Sequence, residues 1–90
     1  MSEQDSKIRS RLLREAHHLK PVVMIGKEGL TPEVVAAVEK ALEDHELIKV
    51  KFLDFKEEKK AISQDIATRL EAFLVRIIGN IAIFYKQNPG

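Results

Sequence analysis

The run Leu74-Val75-Arg76-Ile77-Ile78-Gly79-Asn80-Ile81-Ala82-Ile83-Phe84-Tyr85 constrains the fold more than any other part of the chain. Gly79-Asn80 between two β-branched apolar runs is the pattern of a two-residue hairpin loop, so Leu74–Ile78 and Ile81–Tyr85 are expected as antiparallel neighbours. Such a loop sets Ile78 opposite Ile81, Arg76 opposite Ile83 and Leu74 opposite Tyr85. One face then carries Arg76, Ile78, Ile81, Ile83 and Tyr85, and the other carries Phe73, Val75, Ile77, Ala82 and Phe84. Both faces are largely apolar, so this sheet has to be covered on both sides. With 90 residues, 44% of them hydrophobic, the chain can build one core and not two. The cover must come from its own helices.

Three helical patterns are available. Met1 to Ser6 is polar and expected to fray, after which Ile8, Leu12, Leu13, Ala16 and Leu19 recur at helical spacing. The spacing predicts a first helix over about Asp5 to His17, with Lys7, Arg11, Arg14 and His18 outward and the apolar stripe covering the second face of the hairpin. Pro21 opens a short strand, Val22 to Ile25, where its missing N–H is tolerated. Thr31 can cap a second helix with Pro32 at its first position. That helix buries Val34, Val38, Ala41 and Leu42, exposes Glu39, Lys40 and Glu43, and ends near Asp44. Leu47 to Leu53 alternates Ile48, Val50 and Phe52 with Lys49 and Lys51, a half-buried strand. Ile62, Ile66 and Leu70 mark a third helix over about Lys56 to Glu71, its first turn the solvated Lys56-Glu57-Glu58-Lys59-Lys60 cluster, and Lys86 to Gly90 is a polar tail. The expected fold class is therefore α/β (α+β), one domain over residues 7–86 in the order αβαβαββ. Two right-handed strand-helix-strand crossovers and the hairpin make a mixed four-stranded sheet.

Between the first strand and the second helix lies Gly26-Lys27-Glu28-Gly29. Two glycines three apart are unspecific by themselves and often make only a turn. Here the turn joins a strand to a helix start, where unpaired backbone N–H groups and the positive end of the helix dipole favour an anion. Gly29, just before Leu30 and the Thr31 cap, is the candidate for a positive φ. Lys27 and Glu28 sit at the tip.

Charge is segregated along the chain. Net charge is only +1, but Lys7 to Lys20 holds five basic residues against one acid, while Thr31 to Lys60 holds six lysines against eight acids. A nucleic-acid reading therefore rests on the basic end.

The motifs Leu19-Lys20-Pro21-Val22-Val23-Met24-Ile25-Gly26-Lys27-Glu28-Gly29-Leu30-Thr31 and His45-Glu46-Leu47-Ile48-Lys49-Val50-Lys51 together resemble the CRM (chloroplast RNA splicing and ribosome maturation) domain family. The likeness runs from about Ile8 to Tyr85 and is nearest to its small stand-alone bacterial members, the YhbY type. The resemblance implies an RNA-binding domain, associated in bacteria with maturation of the large ribosomal subunit. It also implies a fold similar to the carboxy-terminal domain of bacterial translation initiation factor three with an added amino-terminal helix. Glu28 departs from what a phosphate-facing loop asks for.

The expected RNA surface is a contiguous basic patch of Lys7, Arg11, Arg14, His17, His18 and Lys20 with the loop Gly26, Lys27, Glu28 and Gly29, since Lys20-Pro21 joins helix to strand directly. Lys49 and Lys51 add to it. Guanidinium groups meet phosphates bidentately and lysines as point charges. With four Phe, one Tyr and no Trp, phosphate contacts should outweigh base stacking, and structured RNA is the expected ligand.

The rival reading is a protein-interaction module docking a basic partner on the acidic face of the second helix. A catalytic role is not expected. No H-E-x-x-H, P-loop or G-x-S-x-G pattern occurs, and Asp44-His45-Glu46 reads as a cap and a bend, not a metal site. No cofactor or small-molecule substrate is expected. The chain lacks cysteine, and no apolar run approaches the roughly 18 residues of a membrane span. A cytoplasmic monomer with RNA as its partner is the expectation.

Overall fold

The computed structural model describes residues 3–88, with side chains described from residue 6 onward. Met1, Ser2, Pro89 and Gly90, from the expected frayed leader and polar tail, lie outside the described residues. The element order is α1 Glu3–Ala16, β1 Val23–Ile25, α2 Pro32–His45, β2 Leu47–Phe52, α3 Lys59–Leu70, β3 Phe73–Ile78 and β4 Ile81–Tyr85. This is the expected αβαβαββ succession. The strands form one mixed sheet in the order β1-β2-β4-β3, with β1 parallel to β2 and β4 antiparallel to both β2 and β3.

The sheet is covered on both faces, as its two apolar faces require. On one side α2 and α3 bury Val38, Leu42, Ile66 and Leu70 against Ile48, Val50, Phe52, Ala82 and Phe84. On the other, α1 seals a smaller cluster in which Leu12 and Ala16 meet Val75 and Ile83. α1 reaches only part of its face, lying mainly against β2 and β3 and meeting β4 at Ile83. Ile78, on the β3 edge strand, is left 54% exposed.

The helix ends follow local chemistry. Thr31 Oγ1 accepts the Val34 N–H at 3.1 Å, and Pro32 occupies the first turn of α2. α1 starts two residues earlier than expected and stops at Ala16. Pro21 bars Lys20 from the helical region, so the helix has to end before it, and the chain leaves through a turn in which the Leu19 N–H donates to Ala16 O at 2.9 Å. α3 begins at Lys59 instead of Lys56, because the segment ahead of it makes a tight turn in which Phe55 takes φ +55. α3 closes with Glu71 at φ +53 and the Ala72 N–H donating to Ala67 O at 2.9 Å, a Schellman ending with glutamate where glycine is usual.

One correction has wider effect. Ile78 faces Ile81 and Arg76 faces Ile83 as the hairpin loop dictates, but Leu74 pairs with Phe84 and not with Tyr85. The register shifts between Leu74 and Arg76, so Val75 is the extra residue of a β-bulge. Upstream of it the alternation reverses. Val75 turns to the α1 side, where it is buried on Leu12 and Ile83, and Leu74 packs on the α2–α3 side. Phe73 also moves to the α1 side, beneath the Arg9 guanidinium at 5.4 Å from the ring centroid.

The expected polar tail is docked as far as it is described. Lys86 Nζ donates to Leu70 O, the Asn88 N–H to Glu46 Oε2, and Asn88 Nδ2 to Glu43 O, at 2.7, 2.9 and 2.9 Å.

Candidate nucleic-acid interface

β2 alternates, so with Val50 and Phe52 in the α2–α3 core, Lys49 and Lys51 must project on the α1 side. Lys51 pairs in register with Met24 on β1 and Ile81 on β4. Lys49 Nζ donates to Leu19 O at 3.0 Å, and the Val22 N–H donates to Lys49 O at 3.0 Å. These two bonds fix where the chain turns out of α1 into β1. Past the last turn of α1 the His17 and His18 rings stand edge to face, 5.3 Å between centroids and 79° between planes.

Between the end of α1 and the β3–β4 hairpin runs an open groove of about 680 Å³. Arg14, His17 and His18 line it from the α1 side and Lys49 from β2. Arg76 and Ile78 line it from β3, over a floor that includes Ile81 and Ile83. Of the residues expected from the sequence, Arg14, His17, His18 and Lys49 are thus brought together. Lys7, Arg11, Lys20 and Lys51 are exposed on or beside the α1 face but lie outside this groove.

The glycine loop sits at the other end of β1. It is separated from the end of α1 by the strand's length, roughly 13 Å for the four steps from Val22 to Gly26, so Lys20-Pro21 does not by itself make one patch. What spans the gap is β2, with Lys49 beside the end of α1 and Lys51 beside Met24.

Inside the loop the Gly29 N–H donates to Gly26 O at 3.0 Å and the Thr31 N–H to Gly29 O at 3.1 Å. Val34 N–H is taken by the Thr31 hydroxyl, Pro32 has none, and Glu33 already sets a negative charge in the first turn of α2. The helix start therefore has fewer amides to offer an anion than expected, and the loop's contribution falls on the exposed Lys27 side chain. Gly29 is at φ +71 as expected.

The acids of α2 lie on the far side of the sheet. Glu39, Glu43 and Asp44 are exposed there, and Lys40 pairs with Asp44 at 3.2 Å. Among the described residues the exposed face beside α1 is mainly cationic, with Glu15 the acid nearest the groove in sequence.

The profile of the CRS1/YhbY (CRM) domain matches residues 5–86. The chain belongs to this family. Among CRM relatives, a probable RNA-binding protein of Pseudomonas aeruginosa is 43% identical over 74 residues, covering 81% of this chain and 71% of its own. An RNA-binding protein of Haemophilus influenzae is 46% identical over 74 residues, covering 81% and 75%. The solution structure of a Staphylococcus aureus protein, described as a candidate RNA-binding protein, superposes with a TM-score of 0.80 at 29% identity over 93% of this chain and 88% of that one.

Two further basic residues lie on this side of the CRM domain without being among those expected at the site. Arg76 lies on the hairpin face expected of it, but only the packing of α1 brings it into one groove with Arg14 and Lys49. Arg9 sits at a half-buried helical position, and the bulge puts Phe73 under it.

Proposed function

We propose that this CRM-domain protein is a non-catalytic RNA-binding protein. It acts in the cytoplasm as a monomer on structured ribosomal RNA and assists assembly of the large ribosomal subunit. The observation that carries the reading is the separation of charge by the sheet. Arg14, Lys49, Lys51 and Arg76 come from three elements distant in sequence and share the α1 side, while the acidic face of α2 points away. A face of one sign that follows a surface is what a phosphate backbone selects. The names of the relatives agree with RNA as the partner.

Bases have few aromatic rings to stack on. Phe52 and Phe84 are buried, Phe55 packs on Gly29, and Phe73 is occupied by Arg9. Phosphate contacts therefore dominate. Neutralising about four to six phosphates gives a log-log salt slope of roughly −3 to −5. Retention on immobilised structured RNA that declines along this slope tests the reading, and a nearly salt-independent affinity overturns it. Co-sedimentation with large-subunit precursors in a sucrose gradient tests the ribosomal part separately. Lys40 neutralises part of the α2 acidic face, so a basic protein partner there is the weaker reading.

A further inference from the structure

We propose that the groove between the end of α1 and the β3–β4 hairpin receives a single unpaired RNA base, while the phosphates flanking it meet Arg14, Lys49 and Arg76. This rests on the RNA-binding reading above and specifies what the RNA must present. The groove has two chemistries arranged in a definite way. Its floor is aliphatic, with Ile83 buried and Ile78 more than half exposed, and its rim carries three cations. Among the described residues no carboxylate lines it. The neighbouring groove under the α1–β1 link has Glu15 in its wall and lacks this character.

An apolar floor inside a cationic rim complements a ligand that is flat and weakly polar at its centre and anionic at its edges. A nucleotide has that form. A continuous A-form duplex presents phosphates and 2′-hydroxyls but keeps its bases stacked inside, so it would use the rim and leave the isoleucines in water. An extruded base reaches the floor, and histidine rings and arginine planes are surfaces on which bases stack. The two histidine rings and Arg76 supply such planes at the groove wall. The open groove, about 680 Å³, has ample room for one base. Drawing out a base costs pairing and stacking energy, least where the base is already unpaired. The preferred RNA is therefore a helix interrupted by a bulged nucleotide. Lys49, held by Leu19 O at 3.0 Å, is prepositioned for the flanking phosphate.

The test uses the full chain and three RNA hairpins of one sequence: a fully paired stem, the same stem with one unpaired adenosine, and that stem with an abasic residue in the adenosine's place. Affinities are measured at one salt concentration. The adenosine stem is expected to bind about tenfold tighter than the paired stem, the scale of one base stack, with the abasic stem returning close to the paired value. In Ile78→Ser, which alters an exposed side chain and should fold normally, the adenosine-to-abasic ratio should collapse toward one. Equal binding of adenosine and abasic stems overturns the proposal and leaves RNA binding standing. So does a ratio that survives both Ile78→Ser and a His17→Ala, His18→Ala double substitution, since the base then sits elsewhere. Failure of all three stems to bind overturns this proposal together with the RNA-binding reading.

Discussion

The ring of Phe55 lies over Gly29, its Cε2 atom 3.3 Å from the position a Cβ on that glycine would take. Both residues are left-handed, Gly29 at φ +71 and Phe55 at φ +55. Asp54 Oδ1 holds the Phe55 N–H at 2.7 Å, and the Leu53 N–H reaches back to Ile25 O at 2.8 Å. The glycine loop and the segment after β2 thus form one packed unit. Gly29→Ala meets two obstacles, a disfavoured φ and a ring that must give way, and should cost at least about 1 kcal/mol. Urea denaturation measures this loss, and an unchanged midpoint in Gly29→Ala would show that neither obstacle is felt.

Lys27 and Glu28 are exposed at the tip of this unit and free of its packing. Lys27→Ala should weaken RNA binding while stability moves by less than about 0.5 kcal/mol. Glu28→Lys should strengthen binding by removing a repulsion and adding a cation. Filter binding with parallel thermal melts would show both, and two unchanged affinities would reduce the loop to a connection.

Arg14 and Lys49 both line the groove, whereas Arg11 is outside it. The pair Arg14→Gln with Lys49→Gln removes two charges, and the glutamine can still donate toward Leu19 O. The salt slope for structured RNA should flatten by roughly 1.4 to 1.8 units. Arg11→Gln should change it less. Equal effects at the two places would mean a diffuse field instead of a located site.

α1 is held by a small cluster in which Leu12 is fully buried on Val75 and Ile83. Leu12→Ala should cost about 2–5 kcal/mol by lost burial and a residual cavity. A loss much below 1 kcal/mol in chemical denaturation would show that α1 contributes little to the fold.

Glu71 ends α3 at φ +53 and is exposed, so its side chain brings no packing to offset the left-handed backbone. Glu71→Gly should stabilise by about 0.5–1 kcal/mol, the left-handed penalty less the greater freedom of glycine in the unfolded chain. For a domain of this size a gain of 1 kcal/mol appears as a rise of roughly 4–8 °C in Tm.

What the sequence determined by itself was what neighbouring residues decide among themselves. The Thr31 cap, Pro32 in the first turn, the positive φ of Gly29, the Gly79-Asn80 hairpin and the inward Ile48, Val50 and Phe52 all follow from bonds and sterics within a few residues. The demand for helices on both faces followed too, because apolar alternation leaves no face fit for water. Only the tertiary structure decided the bulge at Val75, since no local rule asks for an extra residue there and its gain is a valine buried beneath Leu12. It also decided that β4 enters between β2 and β3, which sets the Lys49 strand beside the hairpin and lets Arg14, Lys49 and Arg76 share one groove. Those three residues are separated by 35 and 27 positions along the chain, and residues so far apart are brought together by packing, on which periodicity within a single element is silent.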